Sequence, residues 1–302
     1  MPQKSLVSVV IPTYSRPDYL VRAINSVLQQ TYSPIEIIVV DDNGVGTPFQ
    51  KETEQSLEPF IAKKQITYLR HEHNSNGSAA RNTGIKAAHG DYITFLDDDD
   101  VLHPEKIEKQ VAILECESEY DVAYTGFRII RENNVLKTVV PEKKGNLQYE
   151  LLSCQWGIGT GSNPLFRKNV FETIGLWDAS FCRHQDIEFM VRVFRKFKIA
   201  PVKEILIDRY IDSRINNVNY EKYLSVKNQF LTTFKDDIEC FPKGKQKVIY
   251  RNQYADVACH AMQAKAFSAA WRYYAKANSY KILSLRIIAK AVLYGFMGRK
   301  VE

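Results

Sequence analysis

The 302-residue chain has no C-x-x-C pair, and its five cysteines, Cys116, Cys154, Cys182, Cys240 and Cys259, are odd in number and scattered. That pattern argues against a disulfide framework and against a zinc site, and it fits a reducing compartment. The opening MPQKSLVSVVIPTYSRP offers one lysine before a short apolar run that proline interrupts, with no small-residue cleavage site behind it, so no export signal is read there. No P-loop string occurs, and Gly157, Gly159 and Gly161 do not make a G-x-G-x-x-G fingerprint, so this stretch reads as a mobile loop. His71, His73, His89 and His103 lack paired metal spacing. The basic and aromatic string Arg272-Tyr273-Tyr274 comes without any nucleic-acid module, so no nucleic-acid partner is expected. What the chain has in excess is positive charge, a formal +6, which favours polyanions, anionic lipid or phosphorylated substrates without choosing among them.

Along the chain, apolar runs alternate with helical patterns. Leu6 to Ile11 reads as a strand covered on both faces. From Pro17 to Gln30, Leu20, Ala23, Ile24, Val27 and Leu28 recur at helical spacing, with Ser15 placed to cap and Asp18 in the first turn. Ile35 to Val40 is a second buried strand, ended by Asp41-Asp42-Asn43-Gly44. Further strands are expected at 66–70, 91–96 and 121–127, with helices at 78–88 and 104–115 and a hairpin near Glu132-Asn133-Asn134. This alternation predicts an α/β fold, an open and mostly parallel sheet flanked by helices. Ligands of such sheets collect at the carboxyl ends of the strands, where Thr13, Asp42 and Asp97 fall. From about Tyr220 the chain reads as a helical appendage, giving an expected division into 1–215 and 216–302.

Three acidic features can carry chemistry. The run Asp97 to Asp100 closes DYITFLDDDD. An isolated run of this kind is a solvated patch, but at the end of a buried strand the carboxylates converge at an electrostatic cost that a bound cation offsets. Magnesium or manganese suits a few carboxylates whose shell phosphate oxygens complete. Asp41-Asp42 makes a good turn and also offers a carboxylate to a base or ribose. In His184-Gln185-Asp186-Ile187-Glu188, Asp186 falls at a helix start, where it either caps or takes a proton from an attacking hydroxyl.

Taken together, SVVIPTYSRPDYLVRAINSVLQQTY, EIIVVDDNG, GSAARNTGIKAAHGDYITFLDDDD, GLWD and HQDIEFMVR resemble the family-2 glycosyltransferases over roughly residues 5 to 215. The resemblance implies a GT-A fold and transfer of a sugar, with inversion, from a nucleotide-diphosphate donor of the UDP class to a saccharide or lipid-linked acceptor. It implies that Pro12, Thr13 and Tyr14 line the base and ribose pocket, that Asp42 contacts the base, and that Arg81 lies near the donor. Asp97, Asp98 and Asp99 match the D-x-D motif, Asp99 being the direct ligand of Mn2+ or Mg2+, and Asp186 matches the general base. Gln185 stands where the family often has Glu, and Asp98 where it commonly has Ser or Ala.

Two other classes compete. A nucleotidyltransferase would carry a glycine-rich loop soon after the first strand, where this chain has Pro-Thr-Tyr-Ser. A non-enzymatic basic module would use the stretch Lys281 to Lys300, whose mixed apolar and cationic residues suit an interfacial helix as well as packing on the remainder of the chain. Arg286 and Lys290 exclude a spanning helix. The expected setting is cytoplasmic, with peripheral membrane contact through the basic C-terminal helices.

Overall fold

The computed structural model of the protein describes residues 4–211 and 220–282. The chain divides into two compact units, Met1–Leu147 with Ile158–Arg214, and Gln148–Gly157 with Ile215–Glu302. The turn of chain at 148–157 therefore joins the helical unit rather than the sheet.

The first unit opens with β1 (Val7–Thr13), α1 (Pro17–Leu28), β2 (Ile35–Asp41), α2 (Pro48–Ala62), β3 (Thr67–Arg70), α3 (Gly77–Ala87) and β4 (Tyr92–Phe95). It continues through β5 (Val101–Leu102), α4 (Lys106–Cys116), β6 (Val122–Arg131) and β7 (Asn134–Val139). After the short α5 (Gln148–Leu152) of the other unit come β8 (Leu165–Arg167), α6 (Asn169–Ile174), α7 (Gln185–Val193) and β9 (Ile199–Tyr210). The strands form one nine-stranded sheet in the order β3-β2-β1-β4-β8-β6-β9-β5, with β7 on β6. Strands β3, β2, β1 and β4 run parallel, as does β9 on β6, whereas β8 lies antiparallel between β4 and β6.

The first strand is buried at every position but Pro12, because helices cover both faces of the sheet. Val7, Val9 and Ile11 join Leu20, Ala23, Ile24 and Val27 of α1 and Ile107, Val111 and Leu114 of α4 in one core. On the opposite face α3 packs so closely that a Cβ at Gly84 would stand 2.2 Å from Val10 Cγ1. Register then fixes the strand ends. Thr13 faces Asp41, and Val10 faces Phe95, so Asp42 and Asp97, which follow the two strands that flank β1, emerge on either side of it at the carboxyl edge.

Local chemistry explains most element boundaries. Pro17 opens α1 and Asp18 sits in its first turn, but the expected cap by Ser15 is not made: Arg16 is the capping residue, and Ser15 turns to φ 57° and donates its N–H to Asn43 Oδ1 at 2.7 Å. Asn76 caps α3, its side-chain oxygen accepting from Ser78 N and Ala79 N. Glu132 and Asn133, both at positive φ, make the two-residue turn between β6 and β7. Helix α2 and strand β9 went unread in the sequence. Among the residues of α2 only Gln50, Thr53 and Leu57 are buried, so it shows almost no apolar period.

The second unit holds α5, α8 (Tyr220–Thr233), α9 (Lys235–Glu239), α10 (Lys243–Gln263) and α11 (Phe267–Tyr280). Its interior contains an ion pair, Lys227 Nζ to Asp256 Oδ2 at 2.9 Å, with Gln253 Oε1 accepting from the same ammonium at 2.8 Å. Among the described residues no helix is long and apolar enough to cross a membrane. The basic stretch Lys281 to Lys300 lies outside the described residues from 283 onward.

Candidate active site

The end of β1 supplies the floor. Thr13 Oγ1 donates to Asp98 Oδ2 at 2.8 Å, and Tyr14 N donates to the same oxygen at 3.3 Å. Arg16 Nη1 approaches Asp98 Oδ1 at 3.5 Å and pairs with Asp99 Oδ2, while Arg22 Nη2 donates to the Asp99 carbonyl at 2.8 Å. The Asp98 and Asp99 side chains are therefore held by the β1–α1 corner. Tyr14 itself projects, 54% exposed, and Pro12 remains inside the ladder opposite Val40.

Asp42, 3% exposed, is fully engaged by one loop: Oδ1 accepts from Ser75 N at 2.8 Å and faces His71 Nδ1 at 2.7 Å, and Oδ2 accepts from Asn74 Nδ2 at 3.0 Å. His71 Nε2 meets Thr83 Oγ1 at 2.8 Å, so this histidine braces the loop on α3.

On the other side of the acidic run, Arg81 Nη2 donates to Asp97 Oδ1 at 2.6 Å and Nη1 to Gln185 Oε1 at 3.3 Å. Its position is fixed from beneath by Trp177, whose ring lies 5.1 Å from the guanidinium and whose backbone N–H and C=O both pair with Asn82. Phe189 of α7 stacks on Trp177 with centroids 4.6 Å apart, and Phe95, Phe166 and Phe171 complete an aromatic cluster. Such pairs contribute about 0.5–1.5 kcal/mol each beyond burial. They seat α7 so that Asp186, second residue of that helix, faces Arg81 and Asp97. A cavity of about 220 Å³ opens there, lined by Arg81, Asp97, Gly159, Asp186 and Arg209 among others. Asp186 Oδ1 accepts from Ile187 N at 2.9 Å, and His184 makes no side-chain cap.

The electrostatics of the run are strained in one direction. Burial, and then the neighbouring Asp99 charge, push the Asp98 carboxyl up to about 7. Asp99 is raised by burial and by Asp97, against the pull of Arg16, and Asp100 well above the usual carboxylate range by burial and by Asp97 and Asp99. Burial likewise raises Asp186. Burial is the leading cause for each of these groups, and it disfavours their charged forms, a cost that a hard cation would offset. Among the described residues no three His, Cys, Asp or Glu side chains converge as a cage, so a divalent cation here would be held by one or two carboxylates, with other ligands completing its shell.

Two readings of the sequence need correction. The glycine stretch is a packed wall and not a mobile loop: Thr160, Ser162 and Asn163 are buried and hydrogen-bonded, and Gly159, at φ +89°, lies where a Cβ would stand 2.3 Å from the Phe127 ring. The acidic run is also not uniform, because Asp100 points inward to Thr160 and Ser162. The hydroxyl and amide string Thr160-x-Ser162-Asn163 was the available signal, together with Arg16 and Arg209 as cations flanking the acids.

Residues 8–175, more than half of the chain, match the family "Glycosyl transferase family 2". An uncharacterised glycosyltransferase of Rickettsia conorii is 34% identical over 230 residues, 74% of this chain and 36% of that protein, so the chain spans about a third of this longer relative. The Escherichia coli UDP-Glc:alpha-D-GlcNAc-diphosphoundecaprenol beta-1,3-glucosyltransferase WfgD is 33% identical over 155 residues, 51% of this chain and 57% of that protein. Among solved structures, Staphylococcus aureus TarS 1–349 in complex with UDP-GlcNAc superposes with a TM-score of 0.67 at 15% identity, covering 97% of this chain and 88% of that one. The mannosyltransferase PcManGT from Pyrobaculum calidifontis, in complex with GDP-Man and Mn2+, gives 0.58 at 14% identity, covering 99% and 89%. At such identities the structures speak to fold, and the fold is of GT-A type. Asp186 lies beyond the matched segment. With the sheet, its acidic edge and the match over residues 8–175 in agreement, the chain belongs to glycosyl transferase family 2.

Proposed function

We propose that the protein transfers a sugar, with inversion at the anomeric carbon, from a UDP-class nucleotide-sugar to a hydroxyl of a saccharide or lipid-linked acceptor. The observation that carries this reading is the convergence of Arg81, Asp97 and Asp186 on one cavity at the carboxyl edge of the sheet. TarS in complex with UDP-GlcNAc supports the donor class, and the lipid-linked substrate in the name of WfgD supports the acceptor class.

In the proposed step Asp186 accepts the proton of the acceptor hydroxyl as its oxygen bonds to the anomeric carbon. The bond from that carbon to the diphosphate oxygen breaks, and its electron pair leaves with the nucleoside diphosphate. Burial raises the affinity of Asp186 for that proton and brings it toward the working range of a general base. Arg81 orients Asp97 toward the donor, Asp98 braces Thr13 and Tyr14 beneath the ribose, and Asp42 shapes the base pocket. A divalent metal bound at Asp99 would supply the charge neutralisation that a departing diphosphate needs. The segment 1–215 would form the catalytic domain, and 216–302 a helical region that contacts acceptor or membrane on the cytoplasmic face.

A thermal-shift panel of nucleotides and nucleotide-sugars, each with and without Mn2+, tests the reading. A manganese-dependent rise in melting temperature with UDP and not with adenine or guanine nucleotides is expected. No shift with any nucleotide would overturn it.

A further inference from the structure

The fourth acid of the run behaves unlike the other three. Asp100 is 2% exposed; like Asp98 and Asp99 it does not line the cavity, which only Asp97 of the run reaches, and it alone turns to two side-chain hydroxyls of the 160–162 segment. Its Oδ2 accepts from Thr160 Oγ1 at 2.9 Å and from Ser162 Oγ at 2.6 Å. The same two hydroxyls reach back to the first acid: Thr160 Oγ1 lies 3.1 Å from Asp97 Oδ2, and Asp97 N donates to Ser162 Oγ at 2.9 Å. Counting hydrogens gives the ring a direction. Ser162 has one hydroxyl hydrogen, directed to Asp100, which leaves its lone pairs for the Asp97 amide. Thr160 has one for two carboxylates. Asp100 thereby orients the Ser162 hydroxyl that accepts from the Asp97 amide, and it shares the single Thr160 hydrogen with the Asp97 carboxylate.

The loop is clamped beyond the ring as well. Asn163, with no exposed surface, accepts from Thr125 N at 2.8 Å and donates to Thr125 O at 3.0 Å and to Ile158 O at 2.8 Å. Gln110 Nε2 donates to the Asn163 carbonyl at 2.9 Å. Between these anchors the stretch Gly159-Thr160-Gly161 lines the cavity opposite Asp186.

We propose that Asp100 is a positioning residue, which fixes Thr160 and Ser162 so that Gly159-Thr160-Gly161 forms one wall of the cavity and Asp97 meets the donor in a single orientation. Asp100 takes neither metal nor substrate. The inference rests on the donor reading above.

The test compares Thr160→Val, which keeps shape and removes the hydroxyl, with Thr160→Ser, which keeps the hydroxyl, and with Asp100→Asn, using the full chain. Calorimetric titration with UDP at saturating Mn2+ is read beside titration with Mn2+ alone. Thr160→Val and Asp100→Asn are each expected to weaken UDP by about three- to tenfold, the effect of one lost hydrogen bond. Thr160→Ser should bind as wild type does, and Mn2+ alone should bind all four proteins alike. Weaker Mn2+ binding by Asp100→Asn would make Asp100 a ligand and overturn the proposal. So would UDP affinity unchanged in both altered proteins with only their melting temperatures lowered. If Asp100→Asn does not fold, the Val and Ser pair at 160 still decides. Failure of wild type to bind UDP would remove the donor reading and this inference with it, whereas normal wild-type binding with unaltered variants removes the inference alone.

Discussion

Arg81 Nη2 stands 2.6 Å from Asp97 Oδ1 while Nη1 of the same guanidinium reaches Gln185 Oε1 at 3.3 Å, so α3, the end of β4 and the start of α7 meet on one side chain. Its Nε is buried with no hydrogen-bond partner among the described residues, at the edge of the cavity. Arg81→Lys keeps the charge and loses the fork. UDP affinity should fall about ten- to a hundredfold, the range for a hydrogen bond to a charged group. Equal affinities measured by calorimetry would limit Arg81 to a structural part.

Asp186, as the proposed base, allows catalysis to be tested apart from binding. Asp186→Asn preserves an acceptor for Ile187 N and the helix start, but it cannot take a proton. Transfer, followed as UDP release in the presence of acceptor, should drop by about 10²–10⁴. The UDP dissociation constant should stay within about twofold, since this change removes an interaction made only in the transition state. Normal turnover by the variant would mean that another group is the base.

Asp186 was singled out in the sequence because it lies at a helix start, whereas Arg81, inside α3, was reached only through the family resemblance. The strands at 7–13 and 35–41 are mostly apolar, Asp42 follows where the second stops, and Asp97 follows the apolar run that holds β4. Helix α2 was not readable, because a helix burying only Gln50, Thr53 and Leu57 leaves no apolar stripe. The wall at 159–163 was missed for a different reason. Glycines suggest freedom when read locally, whereas Gly159 is dictated by the Phe127 ring, 32 positions earlier in the chain. Likewise Asp98, Asp99 and Asp100 are identical in sequence and separate only through Thr13, Arg16 and Ser162, which belong to other elements.

Lys106 gives the fold a pH signature outside the site. It is wholly buried in α4, donates to Gln110 Oε1 at 2.8 Å, and burial lowers its ammonium from 10.5 to about 7. Between those values the unfolded chain holds the proton and the folded chain does not, so stability rises with pH from about 7 upward and is reduced below it. Each pH unit in that window corresponds to about 1.4 kcal/mol. Lys106→Met should flatten the increase in urea midpoint between pH 7 and pH 9, although Gln110 then loses a partner at a cost of about 1–3 kcal/mol. A variant whose midpoint climbs as steeply as wild type over that range would reject the assignment.

The pairing of Arg16 with Asp99 bears on the metal. Arg16 is the capping residue of α1 and reaches both Asp98 and Asp99, so a guanidinium already neutralises the carboxylate proposed as the direct ligand. A divalent ion and Arg16 compete for that charge, and the two partly exposed side chains can part at modest cost. Arg16→Gln leaves Asp98 and Asp99 adjacent without their paired cation, Arg209 alone still acting on Asp99, which raises their mutual repulsion and favours any ion that relieves it. Mn2+ alone should therefore bind Arg16→Gln more tightly than wild type, by about three- to fivefold at low ionic strength. The gain should shrink as salt is added, because the displaced pair is partly solvated and screening weakens it. Weaker Mn2+ binding by Arg16→Gln would reverse the argument: Arg16 would then be orienting Asp99 for the metal, and the ion would have to approach from the Asp97 side of the run.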